Sequence, residues 1–220
     1  MFVRQNQQQF RNSNADVQVF YGELAVTTQY SWNKPPGVSQ VYIMLIGGGG
    51  SGDGASIGGG SGAVTTWYGA AKNVPDSLII TPSKGNNSDS TVSYKSASST
   101  LVNILTAAGS NTTLGAVATA SGPFGASGFY QSVAGDPGSG SAVTASNTTF
   151  LSPGPSSTAS NSTANYGYSV TSGSRRGFFL LQPIIVACSG ATSLPPIGCG
   201  GVGAASPSYG GPGMILIASW

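Results

Sequence analysis

An apolar run that stops dead in four glycines constrains this chain more than any other feature. Val41-Tyr-Ile-Met-Leu-Ile46 is followed at once by Gly47-Gly-Gly-Gly50, and from there to Gly62 the chain is nearly all Gly, Ser and Ala. A glycine in a helix interior costs about 1 kcal/mol relative to alanine, so the run reads as a backbone-exposing loop and not as a helix. Val38 to Ile46 reads as a strand, apolar on both faces and therefore central in a sandwich.

Other strands are indicated by alternation and by β-branched and aromatic content. From Asp16, the residues Val17, Val19 and Tyr21 alternate with Gln18 and Phe20, and Leu24 to Tyr30 makes a second candidate. Further strands are expected at Ala63 to Ala70, Ser77 to Pro82, Thr91 to Lys95 and Leu101 to Thr106. Turn signals separate them: Lys34-Pro-Pro-Gly37, Asn73-Val-Pro-Asp76 and Lys84-Gly-Asn-Asn87. Residues 107 to 170 are low-complexity Ser, Thr, Gly and Ala, expected to form long loops and irregular edges held by aromatic pegs such as Phe124, Phe129, Tyr130 and Phe150. Strand character returns at Gly177 to Leu181, Pro183 to Val186 and Met214 to Ile217. No segment has the period of an amphipathic helix, so the expected fold is all-β, an antiparallel β-sandwich with long glycine-rich loops. Residues 1 to 15 are polar and aperiodic, an N-terminal arm that orders against a neighbour, and residues 16 to 220 form a single domain.

Composition narrows the function. Asp, Glu, Lys and Arg make up 6% of the 220 residues, while hydrophobic residues make up 39%. The second figure argues against a disordered chain, and the first leaves little charge repulsion to keep copies apart, as suits an assembly component. A net charge of +2 with one basic pair, Arg175-Arg176, lacks the stripe that nucleic-acid binding needs. No apolar stretch is long enough to cross a bilayer as a helix, and the N-terminal residues hold no signal-peptide core, so synthesis in a cytoplasm is expected. Cys188 and Cys199, without histidine, make neither a zinc site nor a disulfide scaffold; they are read as free thiols, since disulfides are rare in proteins made without export, with a late bridge in a released particle as the alternative.

Catalytic chemistry finds few candidates. The chain has no histidine, which removes the ordinary Ser-His-Asp and Cys-His arrangements. The acidic residues are Asp16, Glu23, Asp53, Asp76, Asp89 and Asp136, and a glycosidase would need two of them facing across a groove. Their Gly, Pro, Ser and Asn neighbours point instead to turn caps. Gly50-Ser-Gly-Asp-Gly-Ala55 and Gly58-Gly-Gly-Ser-Gly-Ala63 satisfy a relaxed dinucleotide pattern, but Ala63 to Tyr68 is strand-like where a phosphate site needs a helix N-terminus. No cofactor, no metal and no enzymatic activity are expected. Asn86, Asn111, Asn147 and Asn161 open N-x-S/T sequons. Tyr130, Tyr166, Tyr168 and Tyr209 stand among glycines and serines, where they could seal subunit contacts or stack on carbohydrate. With Phe2 and Phe10 of the arm they are the candidate assembly or surface-binding residues.

Three landmarks carry a resemblance. Tyr30-Ser-Trp32-Asn-Lys-Pro-Pro-Gly37-Val38 leads through an apolar strand into Ile46-Gly-Gly-Gly-Gly50. Gly58-Gly-Gly-Ser-Gly-Ala63 precedes a strand, Val74-Pro75 and Leu78-Ile-Ile80. Gly198-Cys-Gly-Gly201 leads to Gly210-Gly-Pro-Gly-Met-Ile-Leu-Ile217. Together they resemble the glycine-rich domains of phage tail-fibre tips and other virion surface proteins. Many glycines that such a domain would place in the second half are here Ser, Thr, Asn or Ala. The resemblance implies a jelly-roll, TNF-like sandwich and a homo-oligomer, with a trimer as the expected number. It implies a virion structural protein, a minor capsid, cement or short-spike component whose partners are other virion proteins. The alternative is a fibre tip that recognises glycans or proteins of a host surface.

Overall fold

The computed structural model describes residues 15–52, 59–110, 114–135, 137, 164–165, 185–186, 197–198, 200–201 and 209–220. Strands β1 (Asp16–Tyr21), β11 (Met214–Ser219), β3 (Gln40–Ile46), β4 (Val64–Ala70) and β8 (Gly128–Val133) form a five-stranded sheet in that spatial order. Strands β2 (Tyr30–Asn33), β5 (Ser77–Thr81), β6 (Ser90–Lys95) and β7 (Leu101–Ala107) form a four-stranded sheet. Two residues each of β9 (Ala164–Asn165) and β10 (Ile185–Val186) make a separate short ladder. Neighbouring strands pair antiparallel throughout. The two larger sheets pack face to face as a β-sandwich.

The core between them is set by alternation. Val41, Ile43, Leu45, Trp67, Ile215 and Ile217 from the five-stranded sheet meet Trp32, Leu78, Ile80, Val92, Ile104 and Leu105 from the other. The five-stranded sheet is also apolar on its outer face near the glycine end: Met44, Ile46, Val64, Met214 and Leu216 are buried, with Val17, Val19, Tyr42 and Ile197 packed against them. This two-sided character places β3 centrally, between β11 and β4, as its sequence implies.

Trp67 fills a slot cut for it in that core. Gly69 and Gly128 are cross-strand partners in β4 and β8, and both lie beside its indole. A Cβ on Gly69 would stand 2.5 Å from Trp67 Cζ2, and one on Gly128 would stand 2.7 Å from Nε1. The missing side chains are thus the space the ring occupies. Trp67 Nε1–H donates to the Phe124 carbonyl at 3.0 Å, and the two rings pack 4.6 Å apart at 50°. Beside it, Thr65 Oγ1–H and Thr119 Oγ1–H donate to the Thr106 carbonyl at 2.8 and 2.7 Å, a polar seam joining β4, β7 and the segment that leads to β8.

The structure departs from the sequence expectations in three places. Leu24 to Tyr30 is not a strand: only an isolated Glu23–Val26 bridge forms there, Ala25 takes a φ of 63°, and β2 begins at Tyr30. Within residues 107 to 170, expected to form loops and irregular edges, Gly128–Val133 is a full member of the larger sheet, because pairing with β4 decides its conformation where its own residues are ambiguous. The glycines after β3 are buried, where exposed backbone was expected, because other backbone segments close around them. The expected strand at Gly177 to Leu181, the cysteines and residues 1 to 14 of the arm lie outside the described residues.

Trp67→Ala should cost about 3–5 kcal/mol in equilibrium denaturation. Gly69→Val should cost about 1–3 kcal/mol by overpacking the same slot. Equal stability of either variant with the parent would show that the indole is not the anchor of this core.

Candidate functional site

Two regions at opposite ends of the sandwich stand out, a buried backbone lattice and an exposed aromatic face. The first is built where β3 ends, β4 begins and β11 begins, from the glycines that flank those strands. Gly47 to Gly50 are buried, and so are Gly59, Gly60, Gly62, Gly198, Gly200, Gly201, Gly210, Gly211 and Gly213. Their hydrogen bonds run in several directions. Gly47 N–H donates to Ala63 O, Gly48 N–H to Ser88 O, Gly49 N–H to Gly211 O and Gly50 N–H to Gly60 O, at 2.9 to 3.1 Å. The carbonyls of the same segment accept as well: Gly48 O from Ser110 N–H, Gly49 O from Asn87 N–H and Gly50 O from Gly201 N–H. A strand in a sheet bonds two neighbours in one plane. This segment is surrounded on all sides, an arrangement that needs backbones to approach without side chains between them.

The approach is as close as atoms permit. A Cβ placed on Gly59 would collide with the Gly50 carbonyl, one on Gly62 with that of Gly47, one on Gly200 with that of Gly59 and one on Gly210 with that of Gly49. The lattice extends to non-glycine chain. Gly62 N–H bonds Gly198 O, Gly198 N–H bonds Pro212 O and Gly213 N–H bonds Ser83 O. Side chains close its rim. Asn86 Oδ1 accepts from Gly210 N–H at 2.9 Å and from Ser51 Oγ–H at 3.1 Å, and Gly85, Asn86 and Asn87 take φ of 81°, 47° and 68° in the turn that presents it.

The second region lies on the outer face of the five-stranded sheet, at the end away from the glycines. Tyr42, Tyr68 and Phe129 are direct cross-strand neighbours on β3, β4 and β8. Trp220 N–H bonds Gln40 O, which brings the indole onto the same face. The Tyr68 ring lies 5.9 Å from that of Trp220 and 6.4 Å from that of Phe129, with planes within 16° of parallel. Phe129 is 77% exposed and Trp220 39%. Burial raises the Tyr42 phenol above its ordinary 10.0, so it remains a neutral hydroxyl at physiological pH.

The candidate residues read from sequence are placed differently. Tyr130 lies on the inner side of β8, packed against the core, and its hydroxyl donates to the Thr119 carbonyl at 2.9 Å, pinning the segment before β8. Tyr209 is 40% exposed beside the glycine lattice. Phe2, Phe10, Tyr166 and Tyr168 lie outside the described residues. The structure thus brings together Tyr68, Phe129 and Trp220, none of which sequence reasoning selected as a binding residue. Only their strand register makes them neighbours.

Three of the described acidic residues hold neighbouring groups, while Asp53 and Asp136 lie outside the described residues. Asp76 pairs with Lys34 at 2.8 Å, Asp89 accepts from Gly109 N–H and Asp16 accepts from Gln18. Among the described residues no three of His, Cys, Asp and Glu cluster as a metal site, and no helix is long and apolar enough to cross a membrane. After the glycine run the chain enters strand β4 and not a helix, so the dinucleotide pattern lacks the helix N-terminus that binds a pyrophosphate.

The chain matches no protein-family model and no curated protein.

Substitution within the lattice tests its packing. Gly59→Ala and Gly210→Ala should each lower the melting temperature by about 2–4 °C or more, the shift expected for a loss of about 1 kcal/mol or more in a domain of this size. Gly122→Ala, whose added Cβ would come no nearer than 3.3 Å to the Ile104 carbonyl, should change it little.

Proposed function

We propose that the chain is a virion structural protein, a minor capsid, cement or short-spike subunit that works by contact with neighbouring virion proteins and has no catalytic role. The observation that carries this reading is the joining of the three sequence landmarks into one unit. The glycines after β3, before β4 and before β11 hydrogen-bond to one another at one end of the sandwich. That is the arrangement the resemblance to glycine-rich virion domains would require. A nearly uncharged surface supports the same reading, since packing against neighbours replaces repulsion as the means of staying in solution. Other virion proteins and further copies of the chain are the proposed partners, with a trimer as the expected homo-oligomer, and the virion is the proposed location. A jelly-roll, TNF-like topology is part of the proposal: β1 beside β11, β11 beside β3 and β2 in the opposite sheet are consistent with it.

A second reading, recognition of a host surface, is favoured by one observation, the exposed aromatic array of Tyr68, Phe129 and Trp220. The two readings are compatible in a surface subunit.

In purified particles the chain should resist a high-salt wash and should crosslink to another virion protein through its first fifteen residues. Absence from the particles, or release by salt with no such crosslink, overturns the structural reading.

A further inference from the structure

The aromatic array is unusual in its placement. A phenylalanine on an edge strand, 77% exposed, gains nothing for the core, and a soluble surface rarely keeps three large rings together without a use. Here the rings of Trp220, Tyr68 and Phe129 succeed one another at 5.9 and 6.4 Å with nearly parallel planes. Phe129, on the outermost strand, ends the row.

The strand side chains around the rings are polar and uncharged. Gln40 pairs with Trp220 across the ladder, Thr66 is two residues before Tyr68, and Gln131 is two residues after Phe129 and opposite Thr66. Alternation places all of these on the outer face. The only charged residue in the five strands, Asp16, falls on the opposite face with Phe20, so no strand of this sheet projects a carboxylate or an amine beside the rings.

We infer that Trp220, Tyr68 and Phe129 form a binding site for a neutral saccharide, with Gln40, Thr66 and Gln131 as its hydrogen-bonding margin. An aromatic face is negative and apolar, and the C–H face of a pyranose is apolar and slightly positive, so the two stack; the sugar's hydroxyls then turn to amide and hydroxyl partners at the side. A charged ligand would find no counter-charge on these strands. A second copy of the chain fits less well. Rings of about 150–250 Å² each, exposed in part, offer roughly 300 Å² in all. A stable protein partner needs about 800 Å² from each side. The inference rests on the host-recognition reading and supplies its ligand class, and it is independent of whether the chain also holds a particle together.

The isolated chain supplies its own reporter. Trp32 and Trp67 are 1% and 0% exposed, so Trp220 is the tryptophan that solvent and ligand reach. The chain should bind neutral oligosaccharides on a glycan array in preference to sialylated or sulfated ones. The best neutral ligand should then change tryptophan fluorescence saturably. Phe129→Ala and Tyr68→Ala should weaken binding about tenfold or more, equivalent to about 1.4 kcal/mol, with the melting temperature showing that each variant folds. Phe129→Tyr should retain binding, and Tyr209→Ala, beside the glycine lattice, should leave it unchanged. Three results would overturn the inference: no neutral glycan bound on the array, undiminished affinity in both alanine variants, or a fluorescence change that tracks protein concentration and a dimer in sedimentation. Loss of glycan binding in Tyr209→Ala alone would move recognition to the glycine end and overturn it as well. None of these outcomes bears on crosslinks within a particle, so the structural reading is tested separately.

Discussion

Backbone hydrogen bonds around Gly47–Gly50 set the terms for the rest of the molecule. Four consecutive residues bond segments at positions 60 to 63, 87 to 88, 110, 201 and 211. In most proteins the interior is made by side chains, and backbone amides pair in planes or helices. Here one end of the domain has an interior made of backbone, in which every neighbour is admitted because no Cβ stands in its way. The arrangement fixes composition strictly. A methyl group at Gly59, Gly62, Gly200 or Gly210 would occupy the place of a carbonyl oxygen. Ordering so much glycine carries a large entropic cost, and a buried amide left unpaired would add to it. The lattice therefore holds only when its bonds are made together.

The sandwich makes that cooperation available. Strands β3, β4 and β11 each run directly into the lattice, and their register sets the relative positions of Gly47, Ala63 and Gly213. Met214 pairs with Ile46 and Ile46 with Val64, three buried residues in one row at the junction. Apolar packing on both faces of the sheet thus ends where backbone packing begins. Ser90 joins the two regimes: its hydroxyl donates to the Ile46 carbonyl at 2.6 Å and accepts from Ser83 N–H at 2.9 Å. Serine succeeds here because it is small and because its hydroxyl substitutes for a backbone group, which explains how a chain with Ser and Ala among its glycines still completes the lattice.

Much of the fold was legible because side-chain patterning carries it. The alternation at Asp16 to Tyr21, the two-sided run at Val41 to Ile46 and the final apolar strand all appear in the structure with small shifts of boundary. Sequence reasoning failed where conformation is decided elsewhere. Gly128–Val133 is a strand because β4 offers it an edge, and Leu24 to Tyr30 is not one because Ala25 turns to donate its N–H to Lys84 O. Glycine was the deepest source of error. Its lack of a side chain reads as exposure and freedom, yet the same lack allows the closest burial, and only partners far along the chain distinguish the two outcomes. The aromatic array was hidden for a related reason: Tyr68, Phe129 and Trp220 are remote in sequence and meet through registers that no local pattern encodes.

Neutrality links the two ends of the domain. A charged side chain could not enter the lattice, where there is no room for it and no water to solvate it. The aromatic face has no such steric bar, yet its five strands too present no carboxylate or amine beside the rings. Exposed rings flanked by uncharged strand side chains are a hazard for aggregation, which contact with an uncharged partner would relieve. Glutamine and threonine at the margin limit the hazard without repelling a neutral partner. A polyol suits both properties, because it covers apolar ring faces while presenting hydroxyls to the amides, whereas a protein partner would need several times the area these rings provide.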